Sequence, residues 1–355
     1  MEAKSLRVLV LVCSNRPGAL GPTVGEWLVG ALAPRAAELG VELVPVALGD
    51  LGLPFLDEEE HPAAGVYQHE HTRRWSAMAD AADGFVVVTP EYNSGMPATL
   101  KNALDYLYRE WAWKPIGFVS YGNTSAGTRA VQHAKQVATT LRLVPLGSTV
   151  AIRLSEVAEN GHVRPTPSLV RAAHGVMDEL VRVAHALRPL RERERPGTVP
   201  GPLAGSYARR LAPDDAPEVT VLQRCCWVDE ALANDTLAVR ALHESPKEVR
   251  GWLATWHATG LWRDGRLLGM ARARRSGTDW HVGRLCVAPD LRGQGLGRWL
   301  LRTAESAAEP DCSQAVLFTG ARSTRNIALY ESEGYQTMPQ VDADGTARLV
   351  KNLAL

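Results

Sequence analysis

Two α/β domains in tandem are predicted by three features of this 355-residue chain. Short apolar, β-branched runs alternate with longer amphipathic ones, the pattern of sheets covered by helices. A stretch from Pro189 to Gly205, rich in arginine, proline and glycine, interrupts that pattern. On each side of the interruption a glycine-bearing turn carries a strand directly into a helix, where unbonded amides collect anions. The length also exceeds what one hydrophobic core usually serves. The expected division is residues 1–188, a linker over 189–205, and residues 206–355.

In the first domain the strands are read at Leu6–Val12, Val41–Val46, Gly84–Thr89, Ile116–Ser120 and Leu143–Ile152. Leu6–Val12 is apolar except at Arg7, and Gly84–Thr89 is apolar almost throughout, as strands covered on both faces must be. Helices are expected near Thr23–Leu39, Gln68–Ala82, Pro97–Arg109 and Gly127–Arg142, with Pro167–Leu187 closing the domain. Five strands with intervening helices predict a flavodoxin-like, doubly wound parallel sheet, whose ligand sits beyond the carboxyl ends of the strands.

The linker holds Arg191-Glu192-Arg193-Glu194-Arg195 followed by Pro196, Gly197, Pro200, Gly201 and Pro202. Such a stretch is expected neither to continue a helix nor to pair in a sheet. After it come helical patterns at Pro213–Ala233 and Pro246–Thr259, then strands at Leu261–Arg263, Leu267–Arg274 and Trp280–Val287. A helix at Gly295–Ala308, a strand at Gln314–Thr319, a helix at Thr324–Gly334 and a strand near Ala347–Leu353 complete the reading.

Lysine plus arginine (39) balance aspartate plus glutamate (39), and the balance holds on both sides of Pro196, which argues against a nucleic-acid partner. The five cysteines form no C-x-x-C pair and no zinc-like spacing, consistent with a reducing compartment. Met1-Glu2-Ala3-Lys4 leads straight into a strand-length run, without an export signal, and nothing approaches a membrane span. A cytoplasmic protein acting on small molecules, away from membranes, is the expectation. His61, His69 and His71 lie beside Asp57 and Glu58 to Glu60, but no helical i, i+4 pair joins them. No metal site is expected there.

The first anion turn is Cys13-Ser14-Asn15-Arg16-Pro17-Gly18, which offers a hydroxyl, a guanidinium and backbone amides at the positive end of a helix. Thr89-Pro90-Glu91-Tyr92-Asn93-Ser94-Gly95-Met96-Pro97 places a rigid polar loop at a second strand end. Ser120-Tyr121-Gly122-Asn123-Thr124-Ser125-Ala126-Gly127 ends a third, with glycine where main chain must approach a ligand. In these three loops the chain resembles the NADPH-dependent FMN reductase family over roughly residues 5–188. The resemblance implies FMN and NAD(P)H as cofactors, with the phosphate on Ser14, Arg16 and Gly18. It sets the isoalloxazine against Pro90, Glu91, Tyr92, Asn93 and Ser94, and its far edge against Ser120, Gly122 and Ser125. It also implies at least a homodimer. Many relatives carry a serine one position after the glycine and an asparagine two further on, where this chain has Ala19 and Gly21; two side-chain contacts are absent. Glu91 is read as fixing its loop, not as an acid or base.

The second turn, Arg292-Gly293-Gln294-Gly295-Leu296-Gly297, opens a helix just after a strand ending at Val287, and Asn326-x-x-x-Tyr330 lies downstream. Together these resemble the GNAT superfamily of acyl-CoA-dependent N-acetyltransferases over about residues 206–352, which implies a mixed sheet and acetyl-CoA. By that likeness Leu285 and Val287 lend main-chain groups to the pantetheine arm. Arg292, Gln294, Gly295, Leu296 and Gly297 serve the pyrophosphate, and Asn326 lies near the arm. Tyr330, on the face of Asn326, would protonate the departing thiolate. For the base, strand alternation places His281 on one face with Gly283, Leu285 and Val287; Glu230 is the alternative.

The expected function is therefore double: an FMN-dependent NAD(P)H oxidoreductase for a quinone, azo, nitro or flavin-type acceptor, fused to an amine N-acetyltransferase. Two rivals are an acetyltransferase with a flavodoxin-like dimerisation scaffold, and a reductase regulated by a CoA-sensing module.

Overall fold

A computed structural model describes residues 5–159, 162–164, 166–341 and 345–353. Met1 to Lys4, where no export signal is expected, lie outside the described residues. The chain divides into two compact units, Met1–Arg191 and Glu192–Leu355.

In the first unit five parallel strands, β1 (Leu6–Val12), β2 (Val41–Ala47), β3 (Gly84–Pro90), β4 (Pro115–Gly122) and β5 (Val144–Arg153), lie in the order β2-β1-β3-β4-β5. This is the flavodoxin order, with its switch point between β1 and β3. Alternation along β1 feeds two cores. Val8, Val10 and Val12 pack on one face, under α1 (Gly21–Leu39) and α6 (Pro167–Glu194). Leu9 and Leu11 pack on the other, under α2 (Glu70–Asp80), α3 (Ala98–Asp105) and α4 (Thr128–Thr140). A short helix α5 (Leu154–Val157) and strands β6 (Ala158–Glu159) and β7 (His162–Val163) fill the return to α6.

The linker expectation fails at both ends. α6 runs through Pro189 to Glu194, although proline forgoes one helical amide bond. The end of this helix is secured by Arg191, whose Nη2 donates to Asp83 Oδ1 at 3.0 Å and whose Nη1 donates to the carbonyls of Asp83 and Trp113. Farther on, β8 (Val199–Pro200) pairs with β9 (Tyr207–Arg210) at the margin of the second sheet, where a proline's missing donor faces outward.

The second unit is an eight-stranded mixed sheet in the order β14-β15-β13-β12-β11-β10-β9-β8. Its further elements are α7 (Ala216–Ala233), α8 (Arg240–His243), α9 (Pro246–Leu253), β10 (His257–Arg263), β11 (Arg266–Ser276), β12 (Asp279–Val287), α10 (Leu296–Ser306), β13 (Gln314–Gly320), α11 (Thr324–Ser332), β14 (Gln336–Val341) and β15 (Thr346–Asn352). The helix expected to reach Thr259 stops at Leu253, because from His257 the chain pairs with β11 through a hairpin at Asp264 and Gly265. Both turn residues have positive φ (52° and 78°), the primed turn that matches strand twist. β8, β9 and β14 have no counterpart among the expected strands.

Two irregularities in β12 shape the space between it and its neighbours. Met270 pairs with Cys286 but Arg272 with Gly283, so Arg284 and Leu285 together oppose Ala271: a bulge, with Arg284 at φ 50°. The parallel pairing of β12 with β13 covers Asp279 to His281, and beyond it the strands part.

Candidate functional sites

In the first unit all three predicted loops meet at the carboxyl ends of adjacent strands, since Val12 lies beside Val88 and Pro90 beside Tyr121. Ser14 is 8% exposed, and its Oγ has no hydrogen-bond partner. A Cβ on Gly21 would stand 1.9 Å from that Oγ and 2.9 Å from the Tyr121 hydroxyl, which is also buried and unpartnered. Gly21, expected only to cost a contact, is therefore the residue that makes room for Ser14. An orphaned buried hydroxyl in a space that a side chain would fill fits a phosphate ester. Arg16 and Gly18 lie exposed at the same turn, Gly18 at φ 70°. α1 begins without a side-chain cap, which leaves its first amides for a ligand. Thr99 holds the turn from below, donating to the Cys13 carbonyl.

Tyr121 is the site residue that sequence reasoning misses, although it sits inside the quoted loop. Burial pushes its phenol up to about 12, against the opposing pull of the Ser14 hydroxyl beside it. In the second loop, Asn93 and Ser94 take left-handed φ (48° and 65°) between Tyr92 and Gly95, whose amides and carbonyls bond each other at 3.0 Å. Glu91 accepts from Ser125 Oγ at 2.7 Å and from the amide and Nη1 of Arg129, tying the second loop to the third. Ser120 differs from expectation. Its hydroxyl is buried and donates to the Ala126 carbonyl at 2.8 Å, so it holds the third loop to the end of β4 and is not turned toward a ring. Asp57 accepts from Tyr106 and lies 3.0 Å from His71 Nε2, while Glu58 accepts from the amides of Gln68 and His69 at the start of α2.

In the second unit a cavity of about 1090 Å³ opens where β12 and β13 part. Leu285, Val287, Arg292, Gly295, Leu296, Gly297, Asn326 and Tyr330 line it, together with Glu230. The amides from Gly293 to Gly297 donate to no acceptor among the described residues, and Gly293 and Gly295 stand at φ 80° and 78° with open space around them. α10 thus starts uncapped over the cavity, which fits a diphosphate. Arg292 itself pairs with Asp229 and reaches the Cys226 carbonyl. Gln294 sits at the same turn.

Burial, with Glu230 and Cys286 nearby, pushes the Tyr330 phenol well above its ordinary range, so it stays protonated. Glu230 is engaged: it accepts from Gly320 N at 3.0 Å, Asn326 Nδ2 at 2.8 Å and Thr319 Oγ1 at 3.3 Å. It clamps the β13–α11 loop and holds Asn326, so both its oxygens are already engaged by donors. His281 also departs from expectation. The bulge breaks strand alternation: the Trp280 indole donates to Ala304 of α10, and Val287 approaches Gly297 of the same helix. Cys286 instead meets α7, where the Cys226 thiol donates to the Val287 carbonyl. His281 therefore does not share a face with Leu285 and Val287. It does not line the cavity, stacks on Phe318 at 6.4 Å, and is held neutral by burial.

Each unit contains a match to a known family. The family described as NADPH-dependent FMN reductase matches residues 6–156, and the acetyltransferase (GNAT) domain family matches residues 255–337. An NAD(P)H-dependent FMN reductase of Schizosaccharomyces pombe is 45% identical over 139 residues, covering 39% of this chain and 68% of that protein. A quinone reductase of Escherichia coli is 34% identical over 143 residues, covering 38% and 70%. Among solved structures, the PaiA N-acetyltransferase of Thermoplasma acidophilum in complex with coenzyme A is 14% identical with a TM-score of 0.38, covering 42% of this chain and 99% of that one. Both families are families of enzymes, the first using FMN and NAD(P)H and the second acyl-CoA. The chain belongs to the NADPH-dependent FMN reductase family through its first unit and carries a GNAT acetyltransferase domain in its second.

Proposed function

We propose that the chain is a bifunctional enzyme: an FMN-dependent NAD(P)H oxidoreductase for a quinone, azo, nitro or flavin-type acceptor, joined to an acetyl-CoA-dependent amine N-acetyltransferase. The observation that carries the reading is a pair of uncapped strand-to-helix turns, one beside the orphaned Ser14 hydroxyl and one over the β12–β13 cavity.

Ser14, Arg16 and Gly18 would hold the FMN phosphate, and Pro90 to Ser94 with Gly122 and Ser125 would flank its ring. FMN supplies the hydride and electron chemistry there. The protein's part is placement: Glu91 locks two loops together, and the turn at Asn93 and Ser94 presents main chain to a flat polar edge. In the second unit the amides of Gly293 to Gly297 would hold the CoA diphosphate, and the main chains of Leu285 and Val287 its pantetheine arm. Acetyl-CoA supplies an activated acetyl group. Tyr330 donates its proton to the departing sulfur. Glu230 is bonded to three donors and His281 lies outside the cavity, which favours amines that are neutral near pH 7, arylamines among them; the nitrogen then releases its proton to solvent after attack, and solvent reprotonates Tyr330. Reduction of an azo or nitro compound yields such an amine, so the two activities suit one sequence of steps.

The scaffold reading loses its motive once Gly21 is seen to make room for Ser14. A homodimer through the first unit and a cytoplasmic location belong to the same proposal; sedimentation of the purified chain tests the first. Function is tested by flavin absorbance after purification, NADPH oxidation with a quinone, and CoA thiol release across a set of amines. A colourless protein with no saturable FMN binding ends the first half of the reading. Absence of thiol release with acetyl-CoA bound ends the second.

A further inference from the structure

Beside the β12 bulge lies a buried cluster that the transfer chemistry does not use. Arg284, 11% exposed in its side chain, donates through Nη2 to Glu244 Oε1 at 2.7 Å, while its Nε is buried without a partner. Arg272 lies between the rings of Trp252 and Trp256, 4.4 and 4.2 Å from their centroids, and its Nε too is buried and unpartnered. Glu244, 3% exposed, is the carboxylate of this cluster, and Gln223, Trp252 and Arg240 also engage it. Two buried guanidinium groups thus face one carboxylate, which leaves one positive charge uncompensated in a low-dielectric setting. Burial and the neighbouring Arg284 push Arg272 down to about 9.

The excess charge borders the cavity. Arg284 lines it together with Arg240 and Trp227, whose ring lies 5.5 Å from the Arg284 guanidinium carbon. Its backbone φ of 50° is a strained conformation for a residue other than glycine, held at the bulge that also presents Leu285. With Nη2 held by Glu244, a guanidinium fixed this way keeps Nη1 for an incoming anion, and one spare charge matches a monoanion better than a phosphate ester of charge near −2. An acceptor whose only charge is an ammonium would be repelled.

We infer that Arg284 is the acceptor-recognition residue of the second unit, and that the acceptor is a primary amine carrying a carboxylate, which Arg284 binds beside the Trp227 ring. The inference rests on the acetyltransferase reading and names the substrate class of that site.

The experiment uses the full chain with two probe pairs, 4-aminobenzoate and phenylalanine, each against its methyl ester, which removes the charge and keeps the shape. Two readouts are taken: CoA release from acetyl-CoA, and calorimetric binding of the free acids in the presence of CoA. At least one acid is expected to exceed its ester in kcat/KM by about tenfold to hundredfold, the range of a charge-assisted pair. Arg284→Met should raise KM for the acid and erase the preference with kcat little changed, and Arg284→Lys should restore part of it. Esters that match both acids, or a preference that survives Arg284→Met, overturn the inference. The acid and ester comparison in the unaltered protein stands even if Arg284→Met does not fold. Acids that bind in an Arg284-dependent way without being acetylated support the anion site and sink the acetyltransferase reading. If both acids fail to bind and fail to be acetylated, the inference is overturned.

Discussion

At the β1–α1 turn the proposed anion site includes a buried side chain, Ser14, in a space kept open by Gly21; at the β12–α10 turn it is main chain alone, from Gly293 to Gly297. The first turn is a socket whose shape depends on two side chains, Ser14 and Tyr121, around one missing Cβ. The second is a run of amides whose availability depends on positive φ at Gly293 and Gly295. The first should therefore fail sharply on single substitutions, and the second gradually.

The largest expected effect is Gly21→Asn, the residue that relatives of the flavin family carry near this turn. Its Cβ would collide with Ser14 Oγ at 1.9 Å, so FMN content after purification should fall to background while acetyl-CoA binding by the same protein is kept. A yellow Gly21→Asn protein would erase the contrast. Next, Tyr330→Phe should lower acetyl transfer by about a hundredfold or more with acetyl-CoA affinity intact, the signature of a lost proton donor. Unchanged turnover would reduce Tyr330 to a core aromatic. Ser14→Ala should weaken FMN binding by about tenfold to hundredfold in a fluorescence titration, the worth of a hydrogen bond to a charged group. Gly295→Ala disfavours the left-handed conformation by roughly 1–2 kcal/mol, so the free turn relaxes out of it and calorimetry should show acetyl-CoA affinity falling by up to about five- to thirtyfold. The smallest effect is expected of His281→Ala: acetyl transfer and its pH profile should stay within about twofold, as for a residue outside the cavity. Loss of the low-pH limb of the profile would restore His281 as the base.

The two halves are not equally legible. Runs such as Leu6–Val12 and Gly84–Pro90 are apolar because helices cover both faces of the first sheet, and that local fact fixes strand, class and order together. The second sheet is mostly antiparallel, and its strands take their identity from distant partners. Thr259 reads as the end of a helix until Arg210 and Ala271 pair with it on either side. Ser14, the Pro90 to Ser94 loop, the Arg292 to Gly297 turn and Tyr330 can be named from residue type and spacing, since each motif is local. Tyr121, the exclusion of His281 and the engagement of Glu230 cannot. The first depends on two strand ends meeting, the second on a bulge whose extra residue reverses the face of everything after it, and the third on a loop ninety residues downstream at Gly320.

By itself the sequence determined that two α/β units are strung together and that each hands a strand to a helix through glycine, because periodicity and backbone permissiveness are properties of neighbouring residues. Only the tertiary structure decided which polar groups remain unpaired and which way each side chain faces. A hydrogen bond or a strand register is a relation between distant segments, and a single residue of slip turns a base toward the cavity or away from it.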